Sequence, residues 1–160
     1  MNRNVIVKEL PAYQVAYVRH VGHHLHTYQA WHTLGEWASA HGLTPPAQFS
    51  IGISLDNPEQ VAEDAFRYDA CITLPDGFEQ KEYPNIQYQT LSGGLYAMYS
   101  FYDTVEKLAD AYQVMFGEWL PASGYEADER LCMEFNMNNP AEDPEGKCKV
   151  DLYIPIKPNV

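Results

Sequence analysis

The sequence predicts an α+β fold: two β-α-β-β units with mostly antiparallel strands and one long helix each, arranged around a central ligand cleft. Three observations carry this. First, Gly35-Glu36-Trp37 recurs 82 residues later as Gly117-Glu118-Trp119, and Gly42 and Asn57-Pro58 recur at the same spacing as Gly124 and Asn139-Pro140. Several matches in one register mark an internal repeat. Second, short β-branched and aromatic runs bounded by Gly, Pro and Asn alternate with stretches whose apolar residues keep helical spacing. Third, 160 residues suffice for one domain with a substantial core and are too few for two. A single domain over 1–160 is expected, with repeats over about 12–75 and 94–156.

The elements follow in order. Val5–Glu9 reads as an opening strand and Ala12–Val21 as the first strand of the first repeat. A helix over Thr27–His41 ends at Gly42, ahead of Pro45-Pro46. Strands then run over Gln48–Leu55, closed by Asp56-Asn57-Pro58, and over Tyr68–Leu74. Ile86–Leu91 leads through Ser92-Gly93-Gly94, whose glycines read as a hairpin turn, into the strand Leu95–Phe101. Tyr17 matches Tyr99 under the 82-residue offset. The second helix, Thr104–Leu120, has Asp103 or Thr104 as its cap and ends at Pro121 and Gly124. Its stripe is Val105, Leu108, Ala109, Tyr112, Met115, Phe116 and Trp119, spaced to pack on a sheet. Leu131–Met137 and Lys149–Ile156 complete the second repeat, and the acidic stretches Asn57–Asp64 and Ala141–Lys147 read as exposed loops.

Side chains alternate along a strand, so each strand divides into two faces. Leu131, Met133, Phe135 and Met137 form the apolar set expected to meet the helices, as do Val150, Leu152 and Ile154 in the last strand and Phe49, Ile51, Ile53 and Leu55 in the first repeat. The opposite set carries Cys132, Glu134 and Asn136 together with Tyr153, and Gly52 stands where Glu134 stands in the second repeat. Glu134 is thereby a mid-strand carboxylate beside open space on the cleft side. Such a charge must be paired, solvated or neutralised, and an incoming cation is one partner that would serve. A solvent-facing Glu on an open sheet is the alternative.

Composition narrows the function classes. Twenty-two acidic residues against ten basic ones give a formal charge of −12, with no basic run, which argues against direct nucleic-acid binding. The mean hydropathy is −0.39, and no stretch approaches a membrane span or the apolar core of a signal peptide, so a soluble, cytoplasmic protein is expected. Cys71, Cys132 and Cys148 lack metal-type spacing. The histidines His20, His23, His24 and His26 cluster at a strand-to-helix turn without an acid placed to help them, so a surface loop is expected there, and neither metal nor cofactor. Twelve Tyr, six Phe and three Trp supply ring faces for a core or for a ligand wall.

Trp119-Leu120-Pro121, Ser123-Gly124-Tyr125, Cys132-Met133-Glu134-Phe135, Asn138-Asn139-Pro140 and Asp151-Leu152-Tyr153-Ile154-Pro155-Ile156 together resemble the second half of GyrI-like, effector-binding domains. Arg67-Tyr68-Asp69-Ala70-Cys71-Ile72 and Gly93-Gly94-Leu95-Tyr96-Ala97 resemble their middle. The resemblance implies a duplicated fold around a pocket that takes cationic lipophilic or aromatic, drug-like molecules, with Glu134 as the pocket acid and Tyr153 as the pocket tyrosine. Tyr13, Tyr17, Trp37, Tyr96 and Trp119 are further possible walls, each able to add about 0.5–2 kcal/mol of cation–π attraction, or else to serve in the core. Members of the family occur as effector-binding halves of transcription activators and as free-standing proteins, including a DNA gyrase inhibitor. This chain leaves no room for a helix-turn-helix region, so the free-standing form is expected, acting by itself or through a protein partner such as gyrase or a regulator. Other members hydrolyse strained rings in genotoxic compounds with the pocket acid and an aromatic two residues before it. Here Cys132 holds that position, and Glu134 would be the general acid or base.

Overall fold

The computed structural model describes residues 5–57 and 60–159; Pro58 of the first Asn-Pro step lies outside them. The strands are β1 (Val5–Leu10), β2 (Tyr13–Val21), β3 (Ser50–Ser54), β4 (Arg67–Thr73), β5 (Gln87–Leu91), β6 (Gly94–Asp103), β7 (Tyr125–Ala127), β8 (Met133–Asn136) and β9 (Cys148–Pro158). Helix α1 (Tyr28–Ala40) follows β2, while α2 (Leu108–Val114) and α3 (Leu120–Ser123) follow β6. The result is mostly antiparallel sheet with helices, an α+β fold. Two compact units emerge, an internal one, Ala12–Ser92, and a terminal one, Met1–Pro11 with Gly93–Val160.

In the internal unit the strand order is β3-β4-β2-β5, antiparallel throughout. Helix α1 packs on β2 and β4. Its buried stripe is Ala30, Leu34 and Ala38, and it meets Ala16, Val18, Ala70 and Ile72. Alanines on both sides let helix and sheet approach closely. Trp37 lies against the rings of Phe78, Tyr83 and Tyr88 beside this core.

In the terminal unit the order is β1-β6-β9-β8, again antiparallel, and β7 pairs with the last residues of β9. The core joins Ala97, Phe101, Val150, Leu152, Ile154 and Ile156 to Ala111 and Met115 of the helical segment.

Several expectations need correction. The second helix is not continuous: a 3-10 turn over Val105–Lys107 precedes α2, and a π turn over Met115–Trp119 separates α2 from α3. Pro121 explains the π turn, because it offers no N–H and its ring crowds the carbonyl of Gly117 four residues back, which the wider turn relieves. Val105 and Phe116, both expected in the buried stripe, are exposed. Gly93-Gly94 closes no hairpin: β5 pairs with β2, whereas β6 pairs with β1 and β9. Strand β7 has too little pattern in three residues to be read from sequence. The Tyr17–Tyr99 match is out of register by one. Gly52 pairs with Ala70 and Glu134 with Leu152 under the 82-residue offset, yet Tyr17 faces Cys71 and Tyr99 faces Leu152.

Candidate functional site

The register fixes which side chains share a face, because residues directly opposite on antiparallel strands project to the same side. In the terminal unit Glu134 pairs with Leu152, and Leu152 belongs to the core that holds Ala111 and Met115. Glu134 therefore stands on the helix-facing surface. Met133 pairs with Tyr153 and Phe135 with Asp151, which places Met133, Phe135 and Tyr153 on the opposite surface. The face expected of β8 is thus inverted, while Val150, Leu152 and Ile154 of β9 do face the helix as expected. The internal unit shows the same inversion. Gly52 pairs with Ala70 on the side of α1, and Ile51 and Ile53 lie on the other side, also buried.

Glu134 is half-buried in the middle of β8. The Tyr112 hydroxyl, on α2, donates to its Oε2 at 2.7 Å. Among the described residues no Lys, Arg or His forms an ion pair with it. Burial pushes its carboxyl above the usual carboxylate range, and the Tyr112 hydrogen bond draws it only partly back. Cys132, two residues earlier on the same face, is pushed up to about 11 by burial and by the Glu134 charge, so it is a neutral thiol. A desolvated acid with one neutral donor can take a cation, or can hold and deliver a proton. Helical spacing alone places Tyr112 in the core stripe. The turn of Glu134 toward the helix is what gives the Tyr112 hydroxyl this partner.

The rings expected to wall the site are dispersed. Tyr153 is buried against Phe135 at 4.9 Å and Tyr96 at 6.0 Å, across the sheet from Glu134. Tyr96 is also buried, its face covered by the Arg130 guanidinium at 4.5 Å. Trp119 stacks on Tyr125 and, like Tyr112, packs on the terminal core. The remaining three lie in the internal unit. Tyr13 meets the edge of Phe49, Tyr17 lies beneath Arg19 at 5.6 Å, and Trp37 sits in its aromatic cluster. The open space expected over Gly52 is filled: a Cβ there would collide with the Tyr68 hydroxyl, to which Trp31 Nε1 donates at 3.2 Å. The His23 ring stacks on His24, and no group of three metal-ligating side chains forms among the described residues.

The profile of the family described as GyrI-like small molecule binding domain matches residues 3–157. The chain belongs to the GyrI-like family. GyrI-like relatives include a DNA gyrase inhibitor of Edwardsiella ictaluri, 33% identical over 128 residues, or 77% of each chain. A probable transcriptional regulator, YgiV of Escherichia coli K12, is 29% identical over 122 residues, 75% of each chain. Among solved structures, that of EcmrR in a DNA complex superposes with a TM-score of 0.78 at 16% identity, covering 98% of this chain and 58% of that one. A hydrolase from Listeria innocua gives 0.73 at 14% identity, covering 97% and 92%. SAV2435 bound to tetraphenylphosphonium gives 0.62 at 10% identity, covering 96% and 94%. At such identities these likenesses show the fold alone. No helix among the described residues is long and apolar enough to cross a membrane.

Proposed function

We propose that this GyrI-like domain binds small cationic, lipophilic or aromatic molecules, with Glu134 as the counter-charge and Tyr112 as the side chain that orients it. One observation carries the proposal: a half-buried, mid-strand carboxyl faces a helix with a neutral phenol as partner and no cation paired to it among the described residues. A ligand's positive charge would supply what the protein leaves out. The tetraphenylphosphonium held by SAV2435 supports this class of ligand. Of the rings expected as walls, Trp119 is the one retained, since it shares the helical segment and core of Tyr112. The equal strand order of the two units supports their origin by duplication within a single domain over 1–160.

Fluorescence quenching of Trp31, Trp37 and Trp119 by a panel of aromatic cations and matched neutral dyes tests the proposal. Saturable, cation-selective quenching is expected, and Glu134→Gln should weaken cations about tenfold or more, a loss of at least ~1.4 kcal/mol, while leaving neutral dyes within about twofold. Equal weakening of both would remove the electrostatic role.

A second reading is hydrolysis of strained electrophiles. The raised carboxyl of Glu134, bonded to the Tyr112 hydroxyl, favours it as a proton donor. The hydrolase from Listeria innocua shares the fold. Turnover of an epoxide or aziridine that is abolished by Glu134→Gln would establish this reading over simple binding. Regulation of gyrase or of a transcription factor is the third reading, carried by the names of the relatives, and co-purification with gyrase tests it.

A further inference from the structure

Glu134 stands opposite Leu152, over the core of Ala111 and Met115, and the Tyr112 hydroxyl is its hydrogen-bond partner among the described residues. Among the described residues no Lys, Arg or His forms an ion pair with Glu134. Tyr112 comes from α2, Cys132 immediately precedes β8 and Cys148 opens β9. Both thiols are pushed up by burial first and then by neighbouring carboxylates, those of Glu106, Asp143 and Glu134 in the case of Cys148. Ionising Glu134 would therefore place a negative charge on an apolar surface with one neutral phenol to answer it. Proteins relieve that situation by protonating the acid or by bringing in a cation.

We propose that the resting site holds Glu134 as the neutral acid and that a cation enters by exchange. The carboxyl O–H bond breaks, its proton passes to solvent, and the ligand's positive charge takes its place beside the carboxylate. The exchange presupposes Glu134 as the ligand's counter-charge. It leaves the site neutral before and after binding of a monocation, and so favours monocations over dications, which would leave a net charge beside Leu152. The direction in which burial moves this carboxyl accords with the neutral resting form. Tyr112 then has a definite part: its hydroxyl supports the carboxylate that forms when the proton leaves.

The test is calorimetric titration of the full chain with tetraphenylphosphonium, which has no proton of its own, and with neutral triphenylphosphine oxide. Each is run in two buffers of different ionisation enthalpy, from about pH 5 to about pH 8. Phosphonium binding is expected to release close to one proton where the free acid is protonated, falling to none above its pKa. Apparent affinity should rise by up to about tenfold per pH unit through the same window. The phosphine oxide should release none. Glu134→Gln should abolish both the release and the pH dependence, and Tyr112→Phe should move the window to higher pH. Phosphonium binding that needs Glu134 yet releases no proton and is flat with pH would overturn the exchange while leaving the counter-charge role intact. No phosphonium binding at any pH would overturn both.

Discussion

Glu134 shows how the surroundings of one side chain alter what a common residue can do. An exposed Glu is ionised in neutral solution and pairs loosely with whatever passes. Here burial raises the carboxyl and a single phenol answers it. The consequence for stability has a definite sign. A carboxyl whose folded pKa lies above its unfolded value binds more protons when folded, so its favourable contribution is full below the unfolded pKa and is lost as pH rises through the folded one. Glu134→Gln removes that loss. Urea denaturation of wild type and variant at about pH 5 and about pH 8 should show the variant gaining relative stability at the higher pH. A difference that does not change with pH would mean that Glu134 titrates as an ordinary surface acid. Asp56, Asp128 and Asp143 are shifted the opposite way, by hydrogen bonds to Arg67, to the Glu129 amide and to the Lys147 amide respectively. They are common to both proteins and cancel in the comparison.

At the level of elements, helix α1 carries Gly35 at its middle, on the exposed side, with nothing within 4 Å of where a Cβ would stand. Gly35→Ala should stabilise the protein by about 0.5–1 kcal/mol, read as a higher urea midpoint at unchanged slope. A loss would show that another body occupies that face. Arg130 ties elements together: its guanidinium donates to the carbonyls of Leu95 at 2.8 Å and Ile156 at 3.3 Å, pairs with Asp128 and lies over the Tyr96 ring. Arg130→Ala should cost about 3 kcal/mol in thermal or urea unfolding, since its charged hydrogen bonds to backbone carbonyls and to Asp128 are lost. A cost under about 1 kcal/mol would mean that water replaces the guanidinium. Strands and helices of this kind were legible in the sequence because β-branched runs, Gly42, Gly124 and the Asn-Pro steps mark their limits. Which sheet face meets the helix was not. Alternation separates two faces but does not say which one a helix covers, and here both are apolar. The helices chose the one with small residues, Ala16, Gly52, Ala70 and Ala97, while Ile51, Ile53, Met133 and Tyr153 are buried on the other. That choice turned Glu134 toward Tyr112 and away from Tyr153. The acid itself was identifiable from its place in the strand; its partner was not.

Across the whole molecule the formal charge of −12 sets the long-range field in which a cationic ligand approaches. An acidic surface raises the local concentration of cations and speeds their arrival, and salt screens this over about 10 Å at about 0.1 M. The last step differs. A cation captured at Glu134, as proposed, would meet a half-buried carboxyl beside Leu152 and Tyr112, where mobile ions penetrate poorly and screening is weak. The two contributions separate in kinetics. Stopped-flow quenching with an aromatic cation, from about 0.01 M to about 0.3 M salt, should show the association rate falling severalfold while the dissociation rate changes by less than about twofold. A neutral dye of the same shape should show neither change. Were dissociation to carry the salt dependence, the cation would be resting on exposed carboxylates such as those of the acidic loop Ala141–Lys147. A salt-dependent dissociation rate in Glu134→Gln would say the same. With association alone responding, the general acidity would act as a funnel and Glu134, a half-buried carboxyl with no cation paired to it among the described residues, as the point of capture.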